Sequence, residues 1–157
     1  LPEDIFRLCF NEDATNLVID QKIDAVISSP PYMRQLDYAR DNRLRLWFLD
    51  VQDFKSLDKK ISPGEDYFLK LMKGCLLQWK YILRDGGKCI LFLGDNYSKK
   101  YDMRLPEVLE QIASNEVGGY RLFFKHQSLI PNKRRVRRNY RGNQSETILI
   151  FEKLKNQ

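Results

Sequence analysis

The residues best suited to chemistry are Ser29, Pro30, Pro31 and Tyr32, which follow the apolar run Ile23–Ser28. The run predicts a short buried strand, and the prolines end it because neither offers an amide hydrogen to a sheet. A stiff loop then lies at the carboxyl end of a parallel strand, where open α/β sheets bind ligands. Its hydroxyl, backbone carbonyls and aromatic ring can hold a flat, amine-bearing ring by its edge and its face.

This tetrapeptide resembles the catalytic motif of the DNA amino-methyltransferases, which transfer a methyl group from S-adenosylmethionine to an exocyclic base nitrogen. In that family, Ser in the first position usually accompanies N4-cytosine methylation, whereas Asp or Asn usually accompanies N6-adenine methylation. Ser29 therefore points to cytosine. Residues 36–49, 83–95 and 146–151 are also similar to this family. The resemblance covers nearly the whole chain but only about half of the family's fold, and it implies a site-specific, cytosine-N4-specific DNA methyltransferase.

The chemistry of such a transfer can be assigned to the motif. A cytosine N4 amine is conjugated to its ring, so its lone pair is a poor nucleophile. The Ser29 hydroxyl and the Pro30 carbonyl are the plausible acceptors for the amine hydrogens, and Tyr32 is the plausible stacking face. The remaining requirement is positioning of the reacting atoms near contact distance. Because the base must first leave the duplex stack, an aromatic-lined pocket offsets part of the unstacking cost.

The resemblance assigns one residue to the cofactor. Residues 11–14 are similar to a family segment, usually Gly-Asp-Ala or Gly-Asp-Cys, whose Asp contacts the adenine of S-adenosylmethionine, which implies that role for Asp13. None of the eight glycines forms the glycine-rich turn that grips the cofactor in the family. We therefore expect a missing segment or a second polypeptide to supply that turn. We also expect an exposed sheet edge where those strands belong.

Positive charge is concentrated in one segment, residues 133–141. The net charge of the chain is +6, and the six positive charges of this segment account for all of it. Such a run is either a solvated loop or a phosphate-binding loop with salt-dependent affinity, and the interleaved Asn139 and Tyr140 favour the latter. We expect double-stranded DNA as the partner, held by Lys133, Arg134, Arg135, Arg137, Arg138 and Arg141, and by Arg34.

Composition bounds the class of protein. A chain of 157 residues with 43% hydrophobic residues predicts one domain, residues 1–157, with one core. It has no apolar run long enough for a membrane span and no signal-peptide pattern. The three cysteines lack short spacings, which predicts reduced, mostly buried thiols in a cytoplasmic protein. The lone His126 is expected to be packed or partly exposed and not a ligand, and no metal site is predicted.

Hydrophobic periodicity predicts the elements that position these groups. Strands are expected over residues 5–10, 23–28, 88–93, 120–130 and 146–153, and helices over residues 38–48, 65–83 and 106–113. Asp37 is a candidate helix cap, Gly86 a candidate left-handed C-cap, and residues 88–93 a strand buried on both faces. We infer that the last two strands pair antiparallel, with the basic segment at their junction.

This order predicts an α/β fold. It resembles the back half of a Rossmann-like methyltransferase sheet, mostly parallel with a terminal antiparallel hairpin and with its other strands absent. Other functions stay open: N6-adenine methylation of DNA, amino-methylation of RNA, and a non-catalytic DNA-binding subunit that keeps the fold. The sequence does not reveal the recognition site or the biological role, whether restriction, defence or regulation.

Overall fold

The computed structural model describes residues 7–31, 41–53, 56, 64–131 and 143–155. These residues form a four-stranded mixed sheet with helices packed on one face, and a small two-stranded hairpin. In chain order the elements are β1 (Ile23–Ser28), α1 (Arg43–Phe48), α2 (Glu65–Ile82), β2 (Leu83–Gly94), β3 (Tyr97–Ser98), β4 (Met103–Arg104), α3 (Leu105–Gln111), a π-helical segment (Ile112–Val117), β5 (Tyr120–Leu129) and β6 (Ser145–Lys153).

The strand order in the sheet is β1-β2-β6-β5. β1 and β2 run parallel, whereas β6 pairs antiparallel with both β2 and β5. The predicted antiparallel hairpin of the last two strands is therefore confirmed. β1 and β2 both end at one end of the sheet, which we call the carboxyl end, and β5 ends and β6 begins there too. β1 is an edge strand of the described sheet.

The long helix α2 matches its prediction closely. Its buried residues recur at helical spacing and face the sheet: Phe68, Leu69, Met72, Cys75, Leu76, Trp79 and Ile82. Glu65 and Asp66 lie in its first turn, where carboxylates complement the helix dipole. Leu77, although apolar, is 49% exposed. One apolar stripe thus fixes α2 on the sheet, and Leu77 lies outside it.

Burial of β2 on both faces was expected, and this is wrong for the described structure. Cys89, Leu91 and Leu93 are buried under the helices, but Phe92 on the opposite face is 41% exposed. The strand alternates because α2, α3 and the π-helical segment all cover the same face. β1 follows the same rule, since Val26 packs against the core whereas Ile27 is 69% exposed.

The uncovered side of the sheet carries a row of apolar side chains. Strand register aligns Ile27, Ile90, Ile150 and Phe124 across all four strands. Phe124 is 48% exposed, and α2, α3 and the π-helical segment pack on the other face of the sheet. We call this surface, together with Phe92, the open face.

Gly86 has the predicted left-handed conformation, with φ of 75°, but it lies within β2 and not at the end of the helix. α2 ends at Ile82, and its C-cap is Leu83 in extended conformation, so Gly86 is not the helix cap. It lies instead in an irregular stretch of β2, where the partners of Ile23 and Ala25 are Leu83 and Lys88. The extra residues of β2 must loop out between these pairs, and glycine permits the required backbone.

The prediction of a strand over residues 5–10 is wrong for residues 7–10, the part that the structure describes. These residues form no strand and are exposed. A strand needs a paired neighbour, and none of the described strands pairs with this segment. Of the helix predicted over residues 38–48, Arg43–Phe48 is confirmed as α1, whereas the candidate cap Asp37 lies outside the described residues. α3 begins with Pro106 in its first turn, as predicted.

Two further expectations concern the chemistry of the chain. All three cysteines are free thiols; Cys75 and Cys89 are buried and Cys9 is exposed. His126 lies in β5, exposed to solvent, with its ring stacked against Phe124. Within the part of the chain that the structure describes, no helix has both the length and the apolar character needed to cross a membrane.

Candidate active site at the carboxyl end of the sheet

β1 ends at Ser28, and the corner Ser29-Pro30-Pro31 follows at the carboxyl end of the sheet. Ser29 is exposed, whereas Pro30 and Pro31 are half-buried. Because Ser28 pairs with Leu91 and the strands run parallel, the corner continues alongside the last residues of β2. The structure therefore places the predicted residues Ser29, Pro30 and Pro31 where an open α/β sheet binds its ligand.

The ends of the basic segment leave the same end of the sheet. Leu129 at the end of β5 faces Ser145 at the start of β6, and the Ile130 amide donates to the Gln144 carbonyl at 2.8 Å. Pro131 and Asn143 are the last described residues on either side of the segment. The two strand ends that lead into the basic segment therefore lie at the carboxyl end, on the far side of β2 from β1.

Asp95 directly follows β2 and is buried, with 7% exposure. Its carboxylate accepts hydrogen bonds from the Thr147 hydroxyl at 2.7 Å and from the side chains of Ser145 and Gln127. Burial alone would raise the pKa of Asp95, but these hydrogen bonds, helped by the charge of Arg104, hold it below its ordinary value. Asp95 is therefore an ionised carboxylate locked between β2, β6 and β5.

No local sequence pattern predicts a role for Asp95. Its carboxylate gathers donors from residues more than 30 positions away in the chain, which local patterns do not reveal. One signal was available, because Asp95 directly follows an apolar strand, at the end where such sheets place functional polar groups.

Asp13 lies on an exposed turn. Its carboxylate accepts hydrogen bonds from the Thr15 hydroxyl at 2.6 Å and the Thr15 amide at 2.8 Å, and these bonds lower its pKa. The turn rests on α2, where Thr15 is the close neighbour of Gly74; a Cβ added to Gly74 would lie 3.2 Å from the Thr15 methyl carbon. The turn leaves the second carboxylate oxygen of Asp13 outside these two bonds. Contact of Asp13 with a cofactor stays a prediction.

Several predicted site residues lie outside the described residues. They are Tyr32, Arg34, Lys133, Arg134, Arg135, Arg137, Arg138 and Arg141. Their assignments stay predictions. What the structure shows is where the chain leads into them: Tyr32 directly follows Pro31 at the corner, and the basic segment begins after Pro131.

The described residues do not form a cofactor site on their own. The glycines with positive φ are Gly86, Gly118 and Gly119, and they lie at the end of the sheet opposite the corner. None follows a strand at the carboxyl end, where a glycine-rich turn would be needed to bind a cofactor. The described part of the chain therefore offers the predicted corner and, in Asp13, an exposed carboxylate, but no glycine-rich turn beside them.

The fold is that of an α/β protein, and its predicted ligand corner lies at the end of a parallel strand pair. Residues 23–157 match the model of the DNA methylase family, N6_N4_Mtase. Because this match covers most of the chain, the chain belongs to the DNA methylase family. Among curated proteins no match is found.

Solved structures agree on the fold. TTHA0409 of Thermus thermophilus, assigned as a DNA modification methylase, is similar in its complex with S-adenosyl-L-methionine, with a TM-score of 0.52 and 16% identity over 92% of this chain and 54% of that chain. Its selenomethionine derivative gives a TM-score of 0.51 and 14% identity over 92% and 51% of the two chains. The predicted α/β methyltransferase fold is thereby confirmed. The chain spans about half the length of these structures.

Proposed function

We propose that this chain provides the base-binding half of an S-adenosylmethionine-dependent DNA amino-methyltransferase that acts on the N4 amine of cytosine. The observation that carries the proposal is the position of Ser29, Pro30 and Pro31 at the carboxyl end of β1, within a chain that belongs to the DNA methylase family. The complex of the structural neighbour TTHA0409 with S-adenosyl-L-methionine supports the choice of methyl donor.

The residues of the corner would bind and orient the target amine. Ser29 is exposed, so its hydroxyl can accept one amine hydrogen from an extruded base, while the backbone carbonyl of Pro30 accepts the other. Pro31 has no amide hydrogen and cannot compete for these acceptors. With both hydrogens fixed, the lone pair of the nitrogen is directed out of the plane of the base, and Tyr32 would hold that plane by stacking.

The donor, when bound, supplies a methyl group activated by a positively charged sulfur. Of the described residues, Asp13 has the exposed carboxylate suited to an adenosine group. We propose that the glycine-rich contacts come from a further segment or from a partner polypeptide, because the described residues lack them. The edge of β1 and the open face would receive that segment, since Ile27 and Phe92 there expose apolar side chains that a complete fold would bury.

DNA would be held next to the corner by the basic segment. Both of its ends leave the carboxyl end of the sheet, so its six cations and Arg34 would contact phosphates flanking the extruded base. Phosphate contacts of this kind give affinity and position, and they carry no sequence readout of their own. Sequence recognition would therefore depend on other residues.

The decisive experiment is transfer of a labelled methyl group from S-adenosylmethionine to duplex DNA, followed by mass spectrometry of the nucleosides. The assay uses the full-length protein, together with any partner polypeptide on which activity depends. N4-methylcytosine is the expected product. N6-methyladenine would keep the enzyme class and overturn the choice of base, and label in structured RNA alone would overturn the choice of nucleic acid.

The missing glycine-rich turn favours one other function, that of a non-catalytic DNA-binding subunit. Substitutions in the Ser29 corner distinguish this function from methyl transfer. If Ser29→Ala and Tyr32→Ala leave every activity of the complete assembly unchanged, the chain binds DNA and does no chemistry.

A further inference from the structure

We propose that Asp95 is a positioning residue for binding to nucleic acid: it fixes the end of β5 and the start of β6, the two strand ends to which the basic segment, residues 133–141, is attached. The expected effect of Asp95 on DNA binding rests on the proposed function. That Asp95 holds the two strand ends in place rests only on the contacts of the described residues. Asp95 is neither in the Ser29 corner nor in the basic segment, and it is a buried charge that the proposed transfer does not use.

The carboxylate joins both strands that lead into the segment. Thr147 and Ser145 belong to the first residues of β6, and Gln127 lies near the end of β5. All three donate to Asp95, and the Gln127 amide also donates to the Ser145 hydroxyl at 3.1 Å. One anion thus ties together the strand that enters the segment and the strand that leaves it.

The main chain reinforces this junction. The Asp95 amide donates to the Ser145 carbonyl at 3.3 Å, and the Asp95 carbonyl accepts from the Arg104 guanidinium at 3.2 Å. The neighbouring Asn96 carbonyl accepts from the Leu105 amide at 2.7 Å, which attaches the start of α3 to the same point. Asp95 is therefore held rigidly by β2 and α3, and it can impose its position on the ends of β5 and β6.

Only a carboxylate satisfies this set of partners. Its two oxygens are acceptors alone, and hydrogen bonds to an ionised acceptor are roughly twice as strong as neutral ones. An amide in its place would turn an NH₂ group toward donors from Ser145, Thr147 or Gln127. Burial of a charge is costly unless it is hydrogen-bonded, and the donors from Ser145, Thr147 and Gln127 meet that requirement.

Glu152 provides a matched control within the same sheet. It lies in β6 at the end opposite the carboxyl end, and its carboxylate is bound by Arg121 at 2.7 Å and by Lys88. Glu152→Gln removes the same charge by the same chemical change. It should therefore reproduce any general loss of stability without touching the ends of the basic segment.

The experiment compares Asp95→Asn, Glu152→Gln and the wild-type full-length protein under native conditions. Trypsin cleaves after Lys and Arg, so the rate of cleavage within residues 132–142 reports how firmly the segment is held. We expect Asp95→Asn to raise that rate about fivefold or more and to raise the Kd for duplex DNA by about five- to tenfold, because a segment that is less preorganised must be ordered on binding. Glu152→Gln should change each quantity less than about twofold.

The salt dependence of binding separates anchoring from direct phosphate contact. Asp95→Asn should leave the slope of log K against log salt unchanged, because the same phosphates are neutralised once DNA is bound. Thr147→Val removes one donor while retaining volume, and we expect it to give the same changes at smaller size should Asp95→Asn fail to fold.

The outcomes are distinguishable. If Asp95→Asn and Thr147→Val behave like Glu152→Gln in both cleavage and DNA affinity, the anchoring role is wrong while the proposed function stands. A reduced salt slope for Asp95→Asn would equally overturn it. If the wild type neither binds DNA nor transfers methyl groups, the proposed function fails, and the cleavage rates alone still decide whether Asp95 holds the segment.

Discussion

The two ends of the sheet are built differently. At the end opposite the carboxyl end the connections are short: α2 passes directly into β2 at Leu83, and Gly118 and Gly119 alone separate the π-helical segment from β5. At the carboxyl end, long stretches of chain follow β1 and connect β5 to β6. Short turns hold a fold together, whereas long connections at the carboxyl end of parallel strands carry ligands.

The carboxylates at the two ends show the same contrast. Asp95 is buried and bound by the neutral side chains of Ser145, Thr147 and Gln127, whereas Glu152 is paired with the cations Lys88 and Arg121. Ion pairs near solvent contribute little and weaken with salt. A buried carboxylate with several neutral donors keeps one geometry and is screened far less. The contacts of Asp95 therefore fix the strand ends at the carboxyl end of the sheet more firmly than the ion pairs of Glu152 fix the opposite end.

The largest effect should come from the corner. We expect Tyr32→Ala to lower the single-turnover rate of methyl transfer by at least about 100-fold, because the extruded base loses its stacking face, while the Kd for DNA changes little. Ser29→Ala should act in the same direction. Arg84→Gln is the control, since it removes only an exposed ion pair with Asp24 at the opposite end. Equal loss of transfer in this control would abolish the distinction between the two ends.

Neutralisation of the basic segment should have the converse effect. Changing Arg134, Arg135, Arg137 and Arg138 to Gln should weaken DNA binding and reduce the salt slope by about 0.9 for each phosphate that the variant no longer neutralises. Transfer at saturating DNA should persist.

The control for that variant removes four exposed cations at the opposite end of the sheet: Lys22, Arg84, Arg121 and Lys155. It has the same net charge as the basic-segment variant. Fluorescence anisotropy titrations at several salt concentrations measure both proteins. Equal slopes would mean that the affinity for DNA depends on total charge alone, and the assignment of residues 133–141 to DNA binding would then be wrong.

Lys153 tests the structural character of the opposite end. Its buried ammonium donates to the Leu83 carbonyl at 2.8 Å and lies 3.3 Å from Asp85. Lys153→Met leaves that carbonyl without its side-chain donor, so the free energy of unfolding should fall by about 1–3 kcal/mol. Lys125→Met breaks a partly exposed pair with Glu107 and should cost less than about 1 kcal/mol. Urea titrations compare them, and a larger loss in Lys125→Met would contradict this ranking.

The smallest effect concerns pH. Hydrogen bonds lower the pKa of Asp95 overall against the effect of burial, and the ion pair with Lys88 lowers the pKa of Glu152. Each group therefore contributes stability that is present above its ordinary pKa, 3.8 for Asp and 4.5 for Glu, and lost as pH falls through the folded value. In 1 M salt the acid-limb contribution of Asp95 should persist and that of Glu152 should shrink. Unfolding free energies from pH 7 to pH 3 for the two variants measure this.

Local pattern predicted the parts of the fold that depend on local physics. The apolar stripe of α2 and the antiparallel pairing of β5 with β6 followed from spacing alone. Burial of both faces of β2 could not be judged in this way, because the exposure of Phe92 depends on what covers the open face. Gly86 shows a related limit: its positive φ was predictable, but its place in an irregular strand depends on the register with β1.

In the candidate site, too, local pattern predicted some features and missed others. The position of Ser29-Pro30-Pro31 followed from an apolar strand ended by two prolines, and the structure places it at the carboxyl end. Asp95 escaped prediction because its partners come from two distant strands that only the folded sheet brings together. A carboxylate at the end of an apolar strand is a common feature. The role of Asp95 can be inferred only from the hydrogen-bond donors that surround it in the folded sheet.

The burial of two thiols makes the third a selective chemical handle. Burial raises the pKa of Cys75 to about 11 and that of Cys89 to about 12, so neither presents a thiolate to a maleimide at neutral pH. Cys9 is exposed, four positions before Asp13. A fluorophore should therefore attach at one position in the folded chain, and its emission would report directly on events beside the turn that carries Asp13.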